Sequence, residues 1–136
     1  MDFKIPENAT ITAINGDYQE KVGYSYMAGL LITTDKGSIK LLIEDESSCC
    51  EQWGHLFLET PDNDQKIVGA KILSISDIEI PNTDISKYDL EDGNETQLQI
   101  KTTKGTIQYA VYNSHNGYYS HAVFRQVFDD TFETYL

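Results

Sequence analysis

Basic residues are scarce in this 136-residue chain: ten Lys and Arg stand against 22 Asp and Glu, a formal charge of −12. The sequence pI is near 4.4. A surface of that sign repels phosphate backbones, which argues against direct nucleic-acid binding and suits docking into a basic groove instead. Cysteine is nearly absent. The only two, Cys49 and Cys50, are adjacent and cannot staple distant segments, so a reduced, cytoplasmic setting is expected. No apolar run approaches the ~20 residues needed to span a bilayer, so no membrane association is expected. The opening Met-Asp-Phe-Lys-Ile-Pro lacks a basic region followed by an apolar core, so no signal peptide is expected. Nucleophile elbows, phosphate-binding glycine loops and the His-Glu-x-x-His zinc pattern are also missing.

What is present is a β-rich chain. With 40% hydrophobic residues, the 136 positions are expected to form a single domain, 1–136, able to bury about two thirds of its unfolded surface. Residues 9–14 alternate as a short first strand that Asn15-Gly16-Asp17 should end with a turn. Residues 22–34 and 38–44 read as a hairpin around Asp35-Lys36-Gly37, with Ile39, Leu41 and Ile43 on one face. Ser48 followed by Glu51 fits a capping box, predicting one short helix near residues 49–58. Residues 72–80 return to strand until Pro81, and an acidic loop follows. Residues 97–103 and 106–113 form a further hairpin, and Phe132, Tyr135 and Leu136 suggest a C-terminal helical turn. The fold class is therefore mainly β (β-rich α+β): an antiparallel sheet of hairpins with little helix.

An internal correspondence stands out. Residues 31–43 align with 99–111 at an offset of 68, pairing Ile32 with Ile100, Thr34 with Thr102, Lys36-Gly37 with Lys104-Gly105 and Ile39 with Ile107. If the two hairpins are equivalent, Asp45 corresponds to Asn113. The segments 45–53 and 113–119 should then leave the sheet at the same edge and line a shared concave surface.

The densest polar–aromatic stretch is Asn113-Ser-His-Asn-Gly-Tyr-Tyr-Ser-His121. Trp53, Tyr118 and Tyr119 offer rings to stack on a planar ligand, while Asn113, Ser114, His115, Asn116 and His121 offer polar groups to its edge. These eight residues are the candidate ligand-binding set, and the ligand they suit is nucleotide-like. Cys49, Cys50, His55, His115 and His121 could supply zinc ligands, but adjacent cysteines on a helix point about 100° apart and no zinc spacing is present. Neither a metal nor another cofactor is expected. A cysteine–histidine enzyme would need Cys49 or Cys50 to meet a histidine, and no catalytic residue can be named, so a non-enzymatic protein is expected. Asp84, Asp89, Glu91, Asp92 and Glu95 add an acidic excursion that would suit a nucleic-acid mimic inhibiting a nuclease.

The segments Asp45-Glu-Ser-Ser-Cys-Cys-Glu-Gln-Trp53 and Asn113-Ser-His-Asn-Gly-Tyr-Tyr119, separated by an Ile-Glu-Ile-Pro strand end, resemble a small phage and bacterial family described as a domain of unknown function. The resemblance covers about residues 22 to 124. It implies a phage or mobile-element setting, with counter-defence as the expected role. Two forms of that role follow: sequestering a small nucleotide-like ligand, or blocking a basic host defence protein.

Overall fold

The computed structural model describes residues 3–45, 52–61, 63–83, 93–114 and 121–136. Among these, nine strands run in the order β1 (Ile11–Val22), β2 (Ser25–Thr34), β3 (Gly37–Glu44), β4 (Gln52–Glu59), β5 (Ile72–Thr83), β6 (Gly93–Thr102), β7 (Gly105–Ser114), β8 (Ala122–Val127) and β9 (Asp130–Tyr135). A 3-10 turn, Asp64–Ile67, precedes β5. All strand pairings are antiparallel and build two sheets, β1-β2-β3-β8-β9 and β4-β7-β6-β5. The expectation of a mainly β, antiparallel fold holds.

Period-two alternation decides which face is buried. Ile39, Leu41 and Ile43 of β3 and Ile107, Tyr109 and Val111 of β7 point inward and belong to one hydrophobic cluster with Ile11, Leu30, Ile32, Ile72, Leu98 and Ile100. The two sheets therefore pack face to face as a sandwich. Burying a Leu or Ile side chain contributes about 1.5–3 kcal/mol, so this shared layer dominates the stability.

The repeat is real, and it extends beyond the hairpins. Thr34 pairs with Gly37, and Thr102 with Gly105. In the first turn Thr34 Oγ1 donates to Gly37 O at 2.8 Å and accepts from Lys36 N at 3.1 Å. In the second, Thr102 Oγ1 donates to Gly105 O at 2.7 Å and accepts from Lys104 N at 3.1 Å. Gly37 and Gly105 sit at φ 142° and 125°, a region that disfavours a Cβ. The preceding strands match at an offset of 61: Ile11 opposes Thr34 as Ile72 opposes Thr102, each followed by a register shift. The following strands match at 68 again, but they are exchanged. β4 leaves the sheet of β3 and pairs with β7, while β8 leaves the sheet of β7 and pairs with β3. His55 opposes Val111 just as Val123 opposes Ile43.

The two halves are thus related by an approximate internal twofold. Thr10 and Lys71, counterparts at an offset of 61, face each other in an antiparallel bridge. Ile11 N donates to Ala70 O at 2.9 Å and Ile72 N to Ala9 O at 3.0 Å, reciprocal bonds between counterpart residues.

Several expectations are corrected. The short helix near residues 49–58 is not formed over 52–58, which belong to strand β4; residues 49–51 lie outside the described set. A capping signal is local, whereas β4 satisfies its backbone on β7 and turns Trp53, His55 and Phe57 to one face, against the core and Tyr109. The C-terminal helical turn is strand β9. Phe128, at φ 57°, helps reverse the chain so that Asp130 opposes Val127. Asn15-Gly16-Asp17 does not end the first strand; it forms a bulge within β1. Pro81 does not stop β5, which is an edge strand where a missing N–H is tolerated.

Because the turns are equivalent, Thr34→Val and Thr102→Val should each cost about 1–2 kcal/mol through the lost side-chain bonds. Urea unfolding should show matching midpoint shifts at unchanged slope. A response from only one of the two would contradict the equivalence.

Candidate functional site

The exchange of β4 and β8 brings the flanks of both motif segments to one end of the sandwich. Trp53 lies opposite Asn113 in the β4–β7 ladder. The rings of Trp53 and His121, counterparts at an offset of 68, lie 5.4 Å apart, tilted 33° to each other. Gln52 and Ser114 pair through their backbones. His115, Asn116, Tyr118 and Tyr119 lie outside the described residues, as do Cys49 and Cys50.

Asn113 and His121 are buried, with 0% and 2% exposure, and their contacts are structural. Asn113 Nδ2 donates to Leu136 O at 3.0 Å. His121 Nδ1 donates to Glu44 O at 2.7 Å, and the backbones of His121 and Leu136 exchange bonds of 2.8 and 2.9 Å. These two side chains tie the end of β9 and the end of β3 to the junction. Trp53 alone of the three is half-buried.

A second place has a different character. A cleft of about 350 Å³ opens between the β1 bulge, β4, β7 and the 3-10 turn, lined by Asn15, Gly16, Asp17, His55, Phe57, Asp64, Gln65 and Tyr109 among others. The bulge creates it. Asn15 opposes Leu31 and Tyr18 opposes Gly29, so Gly16 and Asp17 share the space opposite Leu30. A Cβ at Gly16 would meet the Phe57 ring, which would have to shift to make room. Asn63 caps the 3-10 turn by accepting from Gln65 N at 2.9 Å. Gln65 Nε2 then donates to Ile14 O at 3.2 Å and to Asp64 Oδ1 at 3.2 Å, fastening the turn over β1.

A short chain of hydrogen bonds orders the cleft's inner wall. The Gly16 carbonyl can only accept, so the Tyr109 hydroxyl donates to it. That hydroxyl has one proton, so at its 2.6 Å contact with His55 Nδ1 it must accept. His55 is therefore the Nδ1–H tautomer, with its lone pair on Nε2. Burial lowers the His55 pKa from its ordinary 6.5, against opposing pulls from Asp17, the Gly16 carbonyl and Asp45. Burial, reinforced by Asp17, raises Tyr109 so far that the phenol stays protonated. Phe57 meets Tyr109 edge-on at 4.9 Å, and the His55 ring stacks on Tyr109 at 6.0 Å. The cleft thus presents a neutral imidazole, two carboxylates and an aromatic wall. Among the described residues, no Lys or Arg lines it.

Sequence alone does not mark this cleft. His55 stands out there only as a candidate zinc ligand, and among the described residues no group of three or more His, Cys, Asp or Glu side chains is placed to hold a metal ion. The available signal was in the repeat: Tyr109 is a polar-tipped ring at the position where the first half has Leu41.

The chain belongs to the family described as a domain of unknown function (DUF7448), whose model matches residues 7–125. No curated protein and no solved structure matches it. The matched span holds every cleft residue and stops within β8, before β9 begins. Among the described residues no helix is long and apolar enough to cross a membrane.

Two outcomes are expected at the cleft. Since His55 titrates below its unfolded value, the unfolded chain takes up the proton first as pH falls, and stability declines from pH 6.5 down to the folded value. An NMR titration should place His55 below 6.5. Tyr109→Phe removes the donor to the Gly16 carbonyl and the acceptor for His55 Nδ1–H, costing about 1–3 kcal/mol. Imidazole nitrogen shifts should then show a mixture of tautomers in place of one.

Proposed function

We propose that this domain is a non-enzymatic binding protein that holds a basic partner protein, acting as counter-defence in a phage or mobile-element setting, within the cytoplasm. The observation that carries the reading is the cleft's lining: Asp17, Asp64 and the neutral His55 on a chain of net charge −12, with no Lys or Arg beside them among the described residues. Such a lining repels the phosphates of a nucleotide and attracts a cation, so blocking a basic protein accords with it better than sequestering a nucleotide does. The phage setting and the counter-defence role rest on the motif resemblance.

The test is a panel of basic, nucleic-acid-binding defence enzymes assayed with and without the domain. At least one should be inhibited at low salt, with inhibition weakening steeply as ionic strength rises past the range where exposed charges are screened. Inhibition indifferent to salt, or none across the panel, would refute the proposal.

A further inference from the structure

We infer that the cleft is a receptor for a planar cation, a guanidinium group such as an arginine side chain carries, held by Asp17, Asp64 and the Nε2 lone pair of His55 against the Phe57 ring. The inference deepens the reading of the protein as the holder of a basic partner, since it names what that partner inserts.

The chain's own second half supplies the comparison. Asp77 of β5 opposes Leu98 at the place where β1 sets Gly16 and Asp17 opposite Leu30. Arg125 of β8 is the counterpart of Phe57 of β4, one opposing Leu41 and the other Tyr109. In that half Arg125 Nη1 donates to Asp77 Oδ2 at 2.5 Å, and the side chains are only 5% and 10% exposed. The guanidinium also lies 6.0 Å from the Phe132 ring. A β5 carboxylate, a β8 guanidinium and a β9 aromatic ring therefore already form a closed unit once in this fold.

In the first half Phe57 stands where the arginine would be and its ring packs on Gly16, while the bulge adds a carboxylate at Asp17 and the cleft opens beside them. A cation from outside completes there what Arg125 completes internally. Arginine suits the site better than lysine because its planar fork can serve two carboxylates and lie against an aromatic face. The Nδ1–H tautomer imposed by Tyr109 matters as well. Only the neutral ring with its lone pair on Nε2 accepts from the incoming N–H, so a proton and the cation compete for one site. The groups that act on His55 are Asp17 and the Gly16 carbonyl from β1, Asp45 after β3 and the Tyr109 hydroxyl from β7, while Asp64 of the 3-10 turn lines the same cleft.

The probe is acetyl-Gly-Arg-Gly-amide, with the lysine and citrulline peptides as comparisons, titrated into the full chain while the ring signals of His55 and Tyr109 are followed by NMR. The arginine peptide should give a saturable shift at both rings, the lysine peptide a weaker one, and neutral citrulline none. Asp17→Asn and Asp64→Asn, both at solvent-accessible positions that leave the core untouched, should each weaken binding about tenfold, the loss of one charge-assisted contact. Bound peptide should also lower the pH at which His55 titrates, as reciprocal linkage requires. An equal response to citrulline, no saturable shift at either ring, or binding unaltered in both variants would overturn the inference. If the peptide fails while a basic enzyme is still inhibited at low salt, the anchor is wrong and the binding function stands. If the peptide binds while no enzyme in the panel is inhibited, the anchor stands without that function.

Discussion

Two backbone hydrogen bonds, Ile11 N to Ala70 O and Ile72 N to Ala9 O, set the geometry on which the rest of this molecule depends. They join the beginnings of two corresponding strands from opposite sheets around the Thr10–Lys71 bridge. With the strands pinned at that point, the two hairpins that follow are carried into facing positions, and β3 meets β7 across the core. The inward residues of those two strands then form the centre of one hydrophobic layer. Each sheet lacks a neighbour on one side, which the other half provides through β4 or β8.

The two halves share a backbone plan and differ in what they do with it. At one position the second half closes an arginine–aspartate pair out of reach of water. At the corresponding position the first half inserts an extra residue, substitutes a phenylalanine, and leaves a cleft with an ordered histidine. Desolvating an ion pair is expensive unless its geometry is good, so the closed version makes a structural element and the open version leaves charge available for a guest. Duplicated scaffolds commonly acquire distinct surfaces in this way, by small departures at sites the fold can spare.

Much of the architecture was legible in the sequence because hairpins are local. The Lys-Gly turns and the alternation of Ile39, Leu41 and Ile43 each lie within a dozen residues, and the offset of 68 could be read directly. The exchange of β4 and β8 was not legible, because pairing partners 49 to 88 residues apart leave no local trace. There the capping signal at Ser48 outweighed the alternation of Trp53, His55 and Phe57, and the spacing of Phe132 and Leu136 mimicked a helix. Of the eight candidate ligand residues, Trp53, Asn113 and His121 do come together, yet the last two are consumed in holding β9 and β3. The cleft escaped notice because its parts, Gly16, His55, Asp64 and Tyr109, come from four separate elements.

The crossing of the fourth strands has a consequence for how the chain is made. Strand β4 is synthesised well before β7, with which it pairs, and β3 gains its outer neighbour when β8 arrives. A nascent chain leaving the ribosome therefore holds a half-built sheet with a bare edge until its second half follows. Contacts so distant in sequence are slow to form, because a long loop must close before any of them rewards it. The window during which that edge is open to unrelated strands is set by translation speed as much as by stability.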